Sequence, residues 1–147
     1  MESNNNLEII AAAKILLLIS NVDGIIDKKE KNIICIILHD FFDISIDEAS
    51  QILLKSKKEL KKSDDVYNFS KILNQEFTYQ DKIDFICCCF EVALADDNLH
   101  YLENHFIKKI AYILKIEDED LINAKKEIKK YLSKFLIFIS FSLDTCN

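Results

Sequence analysis

The stretch Val22-Asp23-Gly24-Ile25-Ile26-Asp27-Lys28-Lys29-Glu30 lies between two apolar segments. It returns 73 residues later as Ala95-Asp96-Asp97-Asn98-Leu99-His100-Tyr101-Leu102-Glu103, with Asp23 matching Asp96 and Glu30 matching Glu103. Apolar positions after each stretch coincide as well: Ile33 with Phe106, Ile34 with Ile107 and Ile37 with Ile110. Because acidic and apolar positions match together, the sequence predicts two copies of a helix–turn–helix unit.

The composition predicts an all-α fold. Of the 147 residues, 50% are apolar and 30% charged, which indicates one globular domain with a sizeable core. The chain contains one Gly and no Pro, whereas strand-rich folds need many turn residues. We expect a single-domain bundle of about seven helices with a pseudo-twofold internal repeat. Repeat one covers about 7–62, repeat two about 79–134, and an apolar tail 135–147; the similarity fades after the second helix of each copy.

Two segments are apolar on nearly every side, Leu7–Val22 and Ile83–Ala95. A helix of that kind is buried in the centre of a bundle. We therefore expect these two helices, one from each repeat, to cross and form the core. Capping patterns mark the starts of three further helices, in which a short polar side chain precedes an acidic one by three residues. These pairs are Asp27 with Glu30, Ser45 with Glu48 and Thr78 with Asp81.

Charge and cysteine usage narrow the functional class. The net charge is −6, whereas a nucleic-acid module needs a basic face, so we expect no nucleic-acid partner. The five cysteines are an odd number, and the neighbours Cys87, Cys88 and Cys89 point about 100° apart on a helix, so they cannot converge on one metal. This usage is typical of small core residues in a reducing compartment. Since no signal peptide opens the chain, we expect a cytoplasmic location.

The C-terminal tail is strongly apolar between Tyr131 and Leu143 and includes Phe135 and Phe141. It falls short of the roughly 20 apolar residues that a membrane-spanning helix needs. Three roles stay open for it: packing back onto the bundle, contact with a protein partner or a second copy, and shallow membrane contact.

The pattern Asp23-Gly24-x-Ile26-x-x-x-Glu30 after an apolar helix, with a degenerate copy before Phe106, resembles the TerB-like family. That family comprises the tellurite-resistance TerB domain and relatives such as the N-terminal domain of DjlA-type co-chaperones. The resemblance covers roughly 7–130. It implies a helical bundle with facing acidic loops, and roles in stress and tellurite resistance, metal sensing and membrane-associated partner complexes, without an established catalytic activity. The second copy departs from the pattern at Asp97 and His100, where Gly and a capping Asp are expected.

The acidic residues of the two loops are the candidate site. One hypothesis is that they converge on a divalent cation: Asp23, Asp27, Glu30, Asp96, His100 and Glu103. Carboxylates favour Ca²⁺, Mg²⁺ or Mn²⁺, and a histidine ligand favours Zn²⁺ or Mn²⁺. The alternative is that the same side chains cap helices and make turn hydrogen bonds. An EF-hand is excluded, because its first ligand position would fall on Ile19 in one copy and on Val92 in the other, and neither has a ligand oxygen.

Catalysis has little support in the sequence. Cys35 and His39 lie one helical turn apart, as in a Cys–His pair, but Cys35 lies within an apolar run. Glu91 is the one charge in its segment and is expected either to be buried with a raised pKa or to line a groove.

We expect a non-enzymatic domain that acts by contact with a protein partner, modulated by a divalent cation. One alternative is a co-chaperone-like scaffold without metal. The other is a metal-dependent hydrolase, which would need Glu30 and Glu103 exposed to water in an open cleft.

Overall fold

The computed structural model describes the backbone of residues 2–20, 28–61, 66–95 and 101–145, and the side chains of 7–20, 28–61, 66–95 and 103–134. These residues form seven helices and no strand, which confirms the all-α prediction. The helices are α1 (Glu2–Ser20), α2 (Lys28–Phe42), α3 (Ile46–Glu59), α4 (Val66–Glu76), α5 (Tyr79–Ala93), α6 (Tyr101–Ile113) and α7 (Asp118–Thr145).

Helix α1 is the centre of the bundle and packs against α2, α3, α4, α5 and α6. It can do so because small and branched apolar residues cover its circumference, and Ala12, Ala13, Ile15 and Leu16 are fully buried. The helix starts five residues earlier than its apolar run predicts, since α1 begins at Glu2.

Lys14 is the charged residue within the apolar part of α1. Its side chain is only 14% exposed, and its ammonium lies 3.3 Å from the Glu59 carboxylate. The ammonium also lies 5.4 Å from the ring centroid of Phe69. The aliphatic stem can therefore pack in the bundle while the charge keeps a partner.

The second central helix, α5, contributes the largest buried side chains, Phe85 and Phe90, each 1% exposed. Phe85 packs edge-on against Phe41 and Phe77, with ring centroids 6.0 and 5.8 Å away. These distances lie in the range in which aromatic pairs attract beyond simple area burial. The cluster joins α5 to the end of α2 and to the α4–α5 connection.

Helix contacts follow the expected pseudo-twofold pattern. The central helices α1 and α5 pack on each other, and each packs on the second helix of its own repeat, α2 or α6. Each also packs on the second helix of the other repeat. In addition, α1 packs on α3 as α5 packs on α7. The close α2–α3 packing has no comparable α6–α7 counterpart among the described residues.

The correspondence continues beyond the second helices, where the sequence comparison shows little similarity. Helices α2 and α6 both end in a residue with left-handed backbone, Asp43 with φ 54° and Lys115 with φ 58°. The next amides, of Ile44 and Ile116, donate to carbonyls five residues back at 3.3 and 3.0 Å. Both ends are therefore Schellman-type caps. They lie 72 residues apart, one fewer than the loops, and so α6 has lost one residue relative to α2.

With this offset of 72 residues, helices α3 and α7 also match. Both begin three residues after the left-handed residue, at Ile46 and Asp118. Their core-facing apolar positions coincide: Ala49 with Leu121, Ile52 with Ala124, and Leu60 with Leu132. A shift of one residue rotates a helix by about 100°, and this explains why the similarity is lost when the sequence is compared at 73.

Two of the predicted helix caps lie within the described residues, and both are present. The Ser45 hydroxyl accepts from the Glu48 amide at 3.0 Å. Thr78 and Asp81 form a complete capping box, because each side chain accepts from the other residue's amide at 3.1 Å. Short-range hydrogen bonds therefore fix the starts of α3 and α5.

The backbone of the apolar tail belongs to α7, which runs unbroken to Thr145. A search of the described helices finds none with the length and hydropathy required to cross a membrane. Whether the tail side chains pack on the bundle lies outside the described side chains.

Truncation of the central helix should be costly. We expect Phe90→Ala to lower the free energy of unfolding by about 3–5 kcal/mol, because it removes a fully buried ring and leaves a cavity. Tyr112→Ala is the control, since Tyr112 is 83% exposed and its loss should change stability by about 0.5 kcal/mol or less. Urea unfolding measures both, and a Phe90→Ala cost below about 1 kcal/mol would contradict the core assignment.

Candidate functional site

The predicted carboxylate site is described only in part. Asp23, Asp27, Asp96 and His100 lie outside the described residues. The two glutamates are described and occupy equivalent places, since Glu30 is the third residue of α2 and Glu103 the third residue of α6. This is the position that a capping box requires of its acidic member.

Both glutamates are turned away from water. Glu103 is 7% exposed, and the Oε2 atom of Glu30 is buried. Each side chain interacts with other groups of the protein. Because a buried carboxylate is costly without such partners, both glutamates hold the loop ends against the bundle.

Among residues 28–61, 66–95 and the other described parts of the chain, no three His, Cys, Asp or Glu side chains lie close enough together to hold a metal ion. A cation site in the two loops would therefore need ligands from Asp23, Asp27, Asp96 or His100, and it stays a prediction.

A second acidic feature is a groove between α2 and α5, with a volume of about 360 Å³. We call it the acidic groove. Its apolar lining comes from the α2 residues Ile36, Ile37 and Phe41, and Ile36 is 52% exposed. The rest of its lining consists of four carboxylates and one thiol: Asp40, Asp81, Asp84, Glu91 and Cys88. No lysine is among the described residues that line it.

Helical spacing explains the acidic wall. Asp81, Asp84, Cys88 and Glu91 follow one another at intervals of three, four and three residues, and so they lie on one face of α5. The sequence analysis singled out Glu91 and gave Asp81 only a capping role. The i, i+3, i+10 spacing of the three acids was the signal that could have revealed this wall.

Burial and mutual repulsion both act on Glu91. Partial burial raises the pKa of its carboxyl, and the nearby Asp40 carboxylate raises it further. Glu8 of α1 extends the acidic surface, because burial and the carboxylates of Glu76 and Asp81 raise its pKa as well. The raised values show that carboxylates are crowded here without a compensating cation.

The thiols of α5 are poor nucleophiles. Burial, together with the carboxylate of Glu127, raises the pKa of Cys87 to about 11. Burial and the Glu91 carboxylate raise the pKa of Cys88 to about 12. Cys89 is fully buried, and its pKa also lies well above the usual value. All three therefore stay protonated at neutral pH, as expected for packing residues.

The Cys35–His39 pair has other contacts. Cys35 is partly buried against the core. The Nδ1 atom of His39 hydrogen-bonds the carbonyl of Ile44, and its Nε2 lies 3.7 Å from the Asp40 carboxylate. His39 thus ties the end of α2 to the following turn, which explains its position without a catalytic role.

The fold therefore defines an all-helical domain built on two crossed hairpins, with acidic residues at the loops and along one groove. A family model described as tellurite resistance protein TerB matches residues 9–126. The chain belongs to the TerB family. No curated protein and no solved structure gives a significant match.

Neutralising Glu91 should stabilise the protein at neutral pH. Because the folded state raises the pKa of Glu91, the folded protein binds this proton more tightly than the unfolded chain does. The unfavourable ionisation in the folded state is therefore fully present above the folded pKa, and it disappears as the pH falls below the ordinary value of 4.5. We expect Glu91→Gln to raise the melting temperature at pH 7 and to lose this advantage near pH 4.

The control is Asp84→Asn, which removes a charge from the same wall but an exposed one. Thermal melts from pH 4 to pH 8 compare the two variants. An equal melting temperature for wild type and Glu91→Gln across that range would show that Glu91 ionises freely in the folded protein.

Proposed function

We propose that this chain is a non-catalytic interaction domain of the tellurite-resistance type, and that its acidic groove binds a basic segment of a protein partner. The observation that carries the proposal is the combination of a half-exposed Ile36 with four carboxylates in one groove. Exposed apolar area surrounded by like charges suits a ligand that supplies both a hydrophobic side chain and the opposite charge.

The distribution of the carboxylates favours a segment over a single ion. Asp81 and Glu91 are ten residues apart on α5, which corresponds to about 15 Å along the helix. The acidic groove is among the described residues in which no three metal-ligating side chains come together. Lysine or arginine side chains spaced along a peptide can meet carboxylates that are separated in this way.

The buried state of Glu103 supports a non-catalytic role. A hydrolase built on the loop carboxylates would need Glu30 and Glu103 in contact with water, whereas Glu103 is 7% exposed. The protonated, partly or fully buried cysteines of α5 point in the same direction, and they suit a reducing compartment such as the cytoplasm.

A fluorescent probe peptide with alternating lysine and leucine residues tests the groove by anisotropy. We expect wild type to bind it, and we expect the double variant Asp84→Asn/Glu91→Gln to bind at least about tenfold more weakly, since two favourable charge pairs are lost. The matched control is Asp118→Asn/Glu119→Gln, which removes the same charge from the start of α7. Equal losses in both double variants would show that only net charge matters and would contradict a specific groove.

The cation-modulated form of the proposal has its own test. We expect calorimetric titration with Ca²⁺, Mg²⁺, Mn²⁺ and Zn²⁺ to show heat for at least one ion, and Glu30→Gln/Glu103→Gln to reduce it. No heat with any ion at millimolar concentration would leave the metal-free scaffold alternative, in which the loop carboxylates only cap helices. Repeating the peptide titration with and without the ion shows whether the cation changes binding at the groove.

A further inference from the structure

A larger groove lies at the opposite side of repeat two from the acidic groove, between α4, the end of α6 and the start of α7. Its volume is about 1240 Å³, and we call it the tyrosine groove. Three large apolar side chains line it while remaining open to water: Tyr112 is 83% exposed, Ile122 53% and Tyr67 47%. So much exposed apolar surface in one concave region indicates a binding surface.

The charges around the tyrosine groove are separated by sign. Lysines border it on α4 and near the end of α6, as Lys71, Lys108 and Lys115. Carboxylates border it at the start of α7, as Glu117, Asp118, Glu119 and Asp120. A ligand of matching chemistry is an apolar segment with a positive charge at one end and a negative charge at the other.

The C-terminal tail of the chain has this chemistry. Its sequence from Phe135 to Leu143 is apolar except for two serines, with Lys134 before it and Asp144 after it. Because it is helical, its apolar residues fall on every side of the helix. A helix of that kind requires cover from more than one direction, which a groove provides and a single neighbouring helix does not.

The tail extends beyond its own bundle. At the start of α5 and α7, the Tyr79 hydroxyl donates to the Asp120 carboxylate at 2.5 Å. Further along, Cys87 lies near Glu127, so the two helices run in parallel. Helix α5 ends at Ala93, whereas α7 continues to Thr145. The last ten or so residues of α7 therefore pass the end of α5 by roughly 15 Å.

The tail cannot enter the tyrosine groove of its own chain. Ile122 lines that groove, and residue 135 lies in the same unbroken helix, 13 residues further on, at a distance of about 20 Å. Helix α7 leads away from the groove along this whole length. Only a tail from a second molecule can enter the groove without breaking the helix.

We propose that the tail of one copy, residues 135–145, occupies the tyrosine groove of a second copy, and that the exchange is reciprocal. Each dimer then contains two identical tail–groove contacts related by a twofold axis, the commonest closed symmetry. Lys134 meets the carboxylates at the start of the partner's α7, and Asp144 meets the lysines of the opposite wall. This proposal is independent of the acidic groove, which stays open in the dimer for its basic ligand.

Molar mass in solution gives the first test. We expect light scattering to give twice 17.1 kDa for wild type. Tyr112→Glu, which places a carboxylate in the groove, and a chain ending at Lys134 should both give a single 17.1 kDa species. The matched control is Tyr131→Glu, the same substitution at an exposed tyrosine of α7 that does not line the groove, and it should remain a dimer.

Mixing the two monomeric variants separates tail–groove exchange from pairing of two tails. Tyr112→Glu keeps an intact tail, and the shortened chain keeps an intact groove. We expect the mixture to form a heterodimer through one intact contact, at lower affinity than the wild-type dimer. A pair of tails cannot form in this mixture, because one chain has none.

Three outcomes would overturn the proposal. The first is a wild-type chain that stays monomeric at its highest soluble concentration. The second is a Tyr112→Glu variant that remains a dimer while the shortened chain does not, which would indicate tail–tail pairing. The third is a monomer that binds lipid vesicles through its tail. Circular dichroism checks that each variant keeps its helices, and none of these results changes the peptide test of the acidic groove.

Discussion

The structure depends on the burial of two helices that are apolar on all sides. Helix α1 can satisfy its surface only when neighbours surround it, and five of the other six helices do so. Ala11, Ala12 and Ala13 let those neighbours approach closely. Because α5 meets the same requirement from the second repeat, the two hairpins cross, and the loops that follow α1 and α5 are tied to a shared core. Every surface feature of the domain is positioned by that crossing.

The parts of the fold that the sequence predicts are those set by local chemistry. Ser45 and Thr78 cap helices through bonds to amides three residues away, and such bonds do not depend on the rest of the chain. The acidic groove is different, because Asp40 reaches it from α2 and the other carboxylates from α5. Only the packing of α2 on α5 brings them together, and sequence spacing reveals just one of the two walls.

The second limit on prediction is the single residue that α6 lacks relative to α2. A shift of one position moves every later side chain about 100° around the helix, so a comparison at a fixed offset sees unrelated residues. The left-handed residues Asp43 and Lys115 restore the register, since both end a helix with the same pair of hydrogen bonds. The backbone has kept the duplication through α3 and α7 after the sequence pattern at 73 has been lost.

Once the register is restored, the two repeats are seen to carry opposite chemistry at equivalent places. Counted from the left-handed residue, Asp40 and Tyr112 occupy the same position near the end of the second helix. In repeat one this position adds a carboxylate to the acidic groove, and in repeat two it adds an exposed ring to the tyrosine groove. The core fixes the shape of both halves, and it leaves such outward positions free to change. A duplicated bundle can in this way hold two grooves for unlike ligands, a charged segment on one side and an apolar helix on the other.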